Sequence, residues 1–83
     1  MFDLNAIQDF VTVVREQSYS AAARALGTPT STISKRIQNL EASLSTRLIE
    51  RTTRALRLTP EGTAFHARAL RILAEVEEAE SLL

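Results

Sequence analysis

Cysteine is absent from this sequence, which excludes a disulfide framework and any thiolate-held metal, and which fits a reducing cytoplasm as the expected location. Glycine and proline number two each, so no glycine-rich phosphate loop can be assembled. The lone histidine, His66, sits beside an apolar line on a helical pattern and reads as a surface or interface residue. With no thiol and no second imidazole, nucleophilic and acid–base catalysis lack their usual groups. The acids Glu75, Glu77, Glu78 and Glu80 read as a solvated helix face, since nothing brings them to an apolar cleft. Neither an enzyme nor a cofactor or metal is expected. The aromatics are only Phe2, Phe10, Tyr19 and Phe65, too few for the stacking platforms of single-stranded nucleic-acid binders. No apolar run is long enough to span a bilayer, and Asp3 stands where a signal peptide would carry bases, so no membrane contact is expected.

What remains is the composition of one small globular domain: 83 residues, 45% apolar and 24% charged. A chain of this size buries only about 60% of its unfolded surface, so a partner subunit would help its core. The net charge is zero, but its distribution is not even. Residues 1–14 carry Asp3 and Asp9 and no base; residues 15–58 carry eight bases against three acids; residues 59–83 carry two bases against five acids. A middle segment of +5 can face phosphates while the acidic end stays away.

Leu4, Ile7, Phe10, Val11 and Val14 recur at helical spacing, with Asp3 placed as N-cap and Phe2 and Ile7 as a hydrophobic staple. "SYSAAARALG" then predicts a short second helix closed by Gly27. Its run of alanines serves either close helix approach or simple helix propensity. In "LGTPTSTISKR", Leu26–Arg36, Gly27 ends one helix, Thr28 is expected to cap the next, and Pro29 to occupy its first turn. The stretch is thus a rigid turn rather than a modifiable linker. Ile33, Ile37, Leu40 and Leu44 define the inward face of a third helix, about 30–45. Its outward face holds Ser31, Lys35, Gln38 and Ala42, with Thr32 and Ser34 on the shoulders.

Leu48 and Ile49, then Leu56 and Leu58 around Arg57, predict two short strands turning at Thr52 to Ala55, with Arg51 and Arg54 at the tip. "TPEG" predicts a helix start, with Thr59 as N-cap and Pro60 in the first helical position. In the long helix that follows, Phe65, Ala69, Ile72, Val76, Ala79 and Leu83 keep heptad spacing, with Leu70 and Leu73 as a second apolar line. One line serves the domain and the other a partner, unless both widen a single core stripe. The heptad line is taken as the dimer interface. Because its pattern still runs at Leu83, the chain is expected to be part of something longer.

A short helix and a following one joined through a glycine-containing turn outline a helix-turn-helix. Short side chains near the N-terminus of the third helix let its backbone approach a major groove. Hydroxyls there can meet phosphates or base edges, and Lys35 can reach guanine acceptors or a phosphate. A basic hairpin tip can enter the adjacent minor groove. A purely protein-binding helical module remains the other reading of these residues.

"FVTVVREQSYSAAARALG", "STISKRIQNLEASLSTRLIERTTR" and "LRLTPEG", in this order and without gaps, resemble the N-terminal DNA-binding domain of LysR-type transcriptional regulators. The resemblance implies a mainly α fold: a winged helix-turn-helix of three helices plus a short β-hairpin wing over residues 1–58, then a long dimerisation helix over 59–83. It implies sequence-specific binding of double-stranded operator DNA by a homodimer paired through that linker helix, and a tetramer in a full-length parent. A small-molecule inducer would act only through an effector domain outside this chain. Carried over by position, Thr30, Ser31, Ser34 and Lys35, with Gln38 on the same face, would meet the major groove. Arg54 would enter the minor groove, and Ser18, Ser20, Arg36 and Arg51 would contact phosphates. Three positions depart from the family pattern. Pro29 precedes Thr30 where Ser or Thr before Pro or Gln is usual; Ser45 replaces the usual glycine, so the turn must find its positive φ elsewhere or do without; and Ile49 stands where Phe or Leu is usual.

Overall fold

The computed structural model describes residues 1–50 and 55–83. Four helices make up most of it: α1 (Leu4–Glu16), α2 (Tyr19–Leu26), α3 (Thr30–Leu44) and α4 (Pro60–Ser81). The Asp3 carboxylate accepts the Asn5 N–H at 2.8 Å and starts α1, as its N-cap position predicts. Gln17 ends it in the left-handed region at φ 57°, its side-chain amide donating to the Val14 carbonyl.

α1 is the centre of the molecule, contacted by α2, α3 and α4. It is therefore buried over more than a stripe: Ala6, Ile7, Phe10 and Val13 are all inaccessible, and so are Asp9 and Thr12. Thr12 satisfies its hydroxyl by donating to the Gln8 carbonyl, whereas Asp9 needs a partner from elsewhere. Leu4, expected on the apolar face, is 51% exposed.

Ser18 caps α2, accepting the Ala21 N–H at 3.1 Å. The buried Ala22 and Ala23 lie where α2 meets α1 and α3, and their short side chains permit that close packing. The turn after α2 differs from expectation. Gly27 takes φ 62°, and Thr28 is drawn into the same closure: its N–H bonds the Ala23 carbonyl and its hydroxyl the Leu26 carbonyl. Thr28 consequently does not cap α3. Pro29 holds the N-cap position with no side-chain hydrogen bond, and the first helical residue is Thr30 rather than Pro29. At the other end of α3, Ser45 itself adopts φ 50°, while its N–H bonds the Ala42 carbonyl and that of Thr46 the Glu41 carbonyl. No substitute for the missing glycine is used; the serine carries the left-handed conformation at a strain of about 1–3 kcal/mol.

Among the described residues, the predicted strands meet in one antiparallel bridge, Ile49 with Leu58, flanked by bonds from Glu50 N–H to the Arg57 carbonyl and from Thr59 N–H to the Leu48 carbonyl. The buried Glu41 carboxylate takes the N–H groups of both Leu48 and Ile49, at 2.7 and 3.1 Å, so the Leu48 donor turns to α3 and not to the Thr59 carbonyl. The expected turn falls largely on residues 51–54, outside the described residues.

Thr59 ties α4 to this segment. Its hydroxyl accepts the Gly62 N–H at 2.9 Å and donates to the Arg47 carbonyl at 2.7 Å. Gly62 follows for steric reasons, since a Cβ there would overlap the Leu48 carbonyl oxygen. The first half of α4 then lies on α1 through an aromatic cluster: Phe65 packs edge-on to Phe2 and tilted against Phe10, each at 5.8 Å between ring centres, and His66 sits edge-on to Phe10 at 6.0 Å. No helix among the described residues is long and apolar enough to cross a membrane.

Gly62→Ala is expected to lower unfolding free energy by about 1–3 kcal/mol, read from the denaturant midpoint, because backbone rather than a flexible side chain must yield. Burial raises the Asp9 carboxyl above its ordinary value, the Asp3 charge adding to this while Arg36 opposes it. The folded chain thus holds this proton more readily than the unfolded one. Stability from this group is fully present below about pH 4 and declines as pH rises through the raised value. Asp9→Asn is expected to flatten that part of the stability–pH curve.

Candidate nucleic-acid interface

Because Ile33, Ile37 and Leu40 are buried, helical geometry turns the positions between them outward. Thr30, Ser31, Lys35, Gln38 and Ala42 are exposed, and Ser34 is half-buried with its hydroxyl 3.5 Å from the Gln38 amide nitrogen. This face is made of short side chains around one long cation. Lys35 has no ion pair among the described residues, where the pairs are Arg15–Glu16 and Arg36–Asp9. The N-terminal turn of α3 is also unsatisfied in part. The N–H groups of Thr32 and Ile33 bond the Pro29 carbonyl, but those of Thr30 and Ser31 have no acceptor among the described residues, and no side chain caps them. These two donors stand at the positive end of a 15-residue helix dipole, in the same turn as the Thr30 and Ser31 hydroxyls, an arrangement suited to an anion.

Ser18 and Ser20 stand at the start of α2 with their hydroxyls 3.1 Å apart. Ser18 uses an oxygen lone pair as a cap, and Ser20 is exposed. Arg24, Arg47 and Arg57 are exposed as well and without ion pairs among the described residues, which adds positive potential to the middle of the chain. Arg51 and Arg54 lie outside the described residues.

Arg36 makes a contact that local sequence pattern does not show. Its guanidinium turns back to α1, with Nη1 3.3 Å from Oδ2 of Asp9, whose side chain is 2% exposed. It is the partner of a buried carboxylate, with a third of its own side chain exposed. Much of the heptad line of α4 is used within the chain. Ala69 is fully buried, and Phe65 and Ile72 pack on the same intramolecular core. Val76 lines a shallow groove of about 310 Å³ with Leu4, Asn5, Gln8 and Leu73; only Ala79 and Leu83 of that line are exposed. The opposite side of α4 is the open one: Leu70 is 47% exposed, with Ala67 and Ala74 exposed about one turn to either side. Heptad spacing alone does not distinguish the two faces, because an intramolecular stripe has the same period as an intermolecular one.

Asp9 and Glu41 are the internal residues that the sequence reading passed over. Each occupies a position in phase with buried apolar neighbours: Asp9 between Ala6 and Val13, Glu41 four residues after Ile37. A charged residue on a core face is the signal that would have flagged them.

A family model described as "Bacterial regulatory helix-turn-helix protein, lysR family" matches residues 4–63. An "HTH-type transcriptional regulator" of Xanthomonas campestris pv. campestris is 48% identical over 79 residues, covering 95% of this chain and 23% of the relative. The "HTH-type transcriptional regulator BenM" of Acinetobacter baylyi is 39% identical over 80 residues, covering 96% and 26%. The chain spans about a quarter of the length of these curated relatives. Among solved structures, the BenM DBD in complex with catB site 1 DNA superposes with a TM-score of 0.93 at 38% identity, covering 98% of this chain and 91% of that one. A full-length OxyR from Pseudomonas aeruginosa gives 0.94 at 29% identity, covering 99% and 28%.

Proposed function

Since the chain belongs to the LysR family of bacterial regulatory helix-turn-helix proteins, we propose that it binds double-stranded DNA sequence-specifically, α3 entering the major groove, as the DNA-binding part of a transcriptional regulator. The observation that carries this reading is the outward face of α3, which holds Lys35, short hydroxyl side chains and two N–H groups, the lysine without an ion pair and the N–H groups without an acceptor among the described residues. Short side chains let the helix sit deep in the groove, the N–H groups and hydroxyls suit phosphates and base edges, and the lysine suits guanine. The likeness to a DBD solved on catB site 1 DNA supports it. This is a binding role, not a catalytic one. Thr30, Ser31, Ser34, Lys35 and Gln38 read the groove; Ser18 and Ser20 meet a phosphate; and Arg51 and Arg54, by their position in the sequence, reach a phosphate and the minor groove.

Two copies are proposed to pair through α4, by the face centred on Leu70 with Ala67 and Ala74 rather than by the Phe65 line. Small residues on either side of a leucine allow close helix approach, and a dimer explains why a chain with so small a core leaves this leucine open. Inducer response would belong to a separate domain of a longer protein.

Selection of bound duplexes from a random pool tests the whole reading: recovery of one motif is expected, and a pool without enrichment would refute it. Lys35→Ala is expected to weaken binding of the recovered duplex by about 1–3 kcal/mol and to relax preference at one position. In sedimentation, Leu70→Glu should yield folded monomers, whereas Ile72→Glu should unfold the chain; folded Leu70→Glu dimers would show that the pairing face is elsewhere.

A further inference from the structure

α3 is held against the rest of the fold mainly by Ile33, Ile37 and Leu40. Apolar contacts of this kind resist separation but are non-directional and resist rotation about the helix axis weakly. Rotation matters for a reading helix: with side chains at a radius of about 5–6 Å, a turn of roughly 20° moves them about 2 Å, enough to break a hydrogen bond to a base edge. Of the directional contacts on the inner side of α3, those of Glu41 bind the segment that follows the helix, and that of Arg36 reaches α1. Arg36 Nη1 lies 3.3 Å from Oδ2 of Asp9, joining residues 27 positions apart. Asp9 is 2% exposed and the Arg36 side chain 34%, so the pair is partly shielded from water and salt. Lys35 is the neighbour of Arg36 in sequence. Helix geometry sets successive side chains about 100° apart, so tethering Arg36 inward sets where Lys35 points.

We propose that Asp9 is a positioning residue for base recognition: by anchoring Arg36 it fixes the rotation of α3, and with it the register of Lys35 and Ser31 against the DNA. The inference rests on the reading of α3 as the major-groove helix. Asp9 itself touches no DNA. Arg36 acts through the protein and not through a phosphate, which separates it from Lys35, although the two cations are adjacent. A buried ion pair is a poor source of net stability, and an apolar replacement of both partners is often neutral or stabilising. Orientation is what the apolar pair would not restore.

The test is the double variant Asp9→Val/Arg36→Met, which leaves no unpaired buried charge, compared with the unaltered chain. The probes are the duplex recovered from a random pool and a duplex of equal length with its centre scrambled, each titrated over a range of salt. A melting midpoint close to that of the unaltered chain is expected, with an unchanged salt slope and an approximately tenfold smaller preference for the recovered duplex, within the range that one misread base pair produces. Unchanged preference would overturn the proposal. Equal loss on both duplexes with a salt slope shallower by about one would also overturn it, because Arg36 would then be a phosphate contact. Arg36→Lys, which keeps the charge without the planar fork, provides the same readout should the double variant fail to fold. It is expected to bind both duplexes yet lose part of the preference, and full preference would count against the inference. An unaltered chain that does not prefer the recovered duplex would instead refute the parent reading, and this one with it.

Discussion

A chain of 83 residues has room to enclose one helix, and the enclosure of α1 is the constraint on which the other elements depend. α2, α3 and α4 each have a face that is apolar only where it meets α1 or the small space around it, and none of them would bury much without it. Apolar burial at about 25 cal/mol per Å² is nearly all such a core has to set against chain entropy. Each outer helix is thereby left with a free side. On α3 that side is polar and basic, and on α4 it is apolar at Leu70.

Two acids inside this core do opposite kinds of work. Glu41 is satisfied by backbone donors: it accepts the Leu48 and Ile49 N–H groups, so a carboxylate of α3 holds the path by which the chain leaves that helix. Asp9 is satisfied by a side chain, and its carboxyl is raised because burial outweighs the help of Arg36. The first acid shapes the connection after α3 and the second limits how α3 can turn. Both therefore bear on the surface offered to DNA without being part of it.

What could be read from the sequence follows the range of the interaction involved. Asp3 and Thr59 cap helices through bonds spanning two or three residues, and both positions were legible from local pattern. So was the inner face of α3, which depends on its own periodicity. Thr28 misled because the closure of α2 competes for it with the start of α3, and local pattern does not rank the two. The inward contacts of Arg36 and of the Phe65 line were illegible for a different reason. Their partners, Asp9 and Phe10, are distant in the chain, and neither spacing nor composition encodes which of two helical faces meets them. The order and identity of the motifs carried the family likeness over nearly the whole chain, so the fold was legible where individual roles were not.

The anchoring of α4 at Thr59 and Gly62, together with its aromatic contact on α1, means that this 22-residue helix leaves the core as a rigid extension and not as a tether. In any pair of chains joined through α4, the separation of the two α3 helices is then a mechanical length. It changes in steps of about 5.4 Å as one helix shifts a turn along the other, and it cannot adjust smoothly. Two operator half-sites at the wrong distance would have to be accommodated by bending the DNA, the more compliant member of the complex.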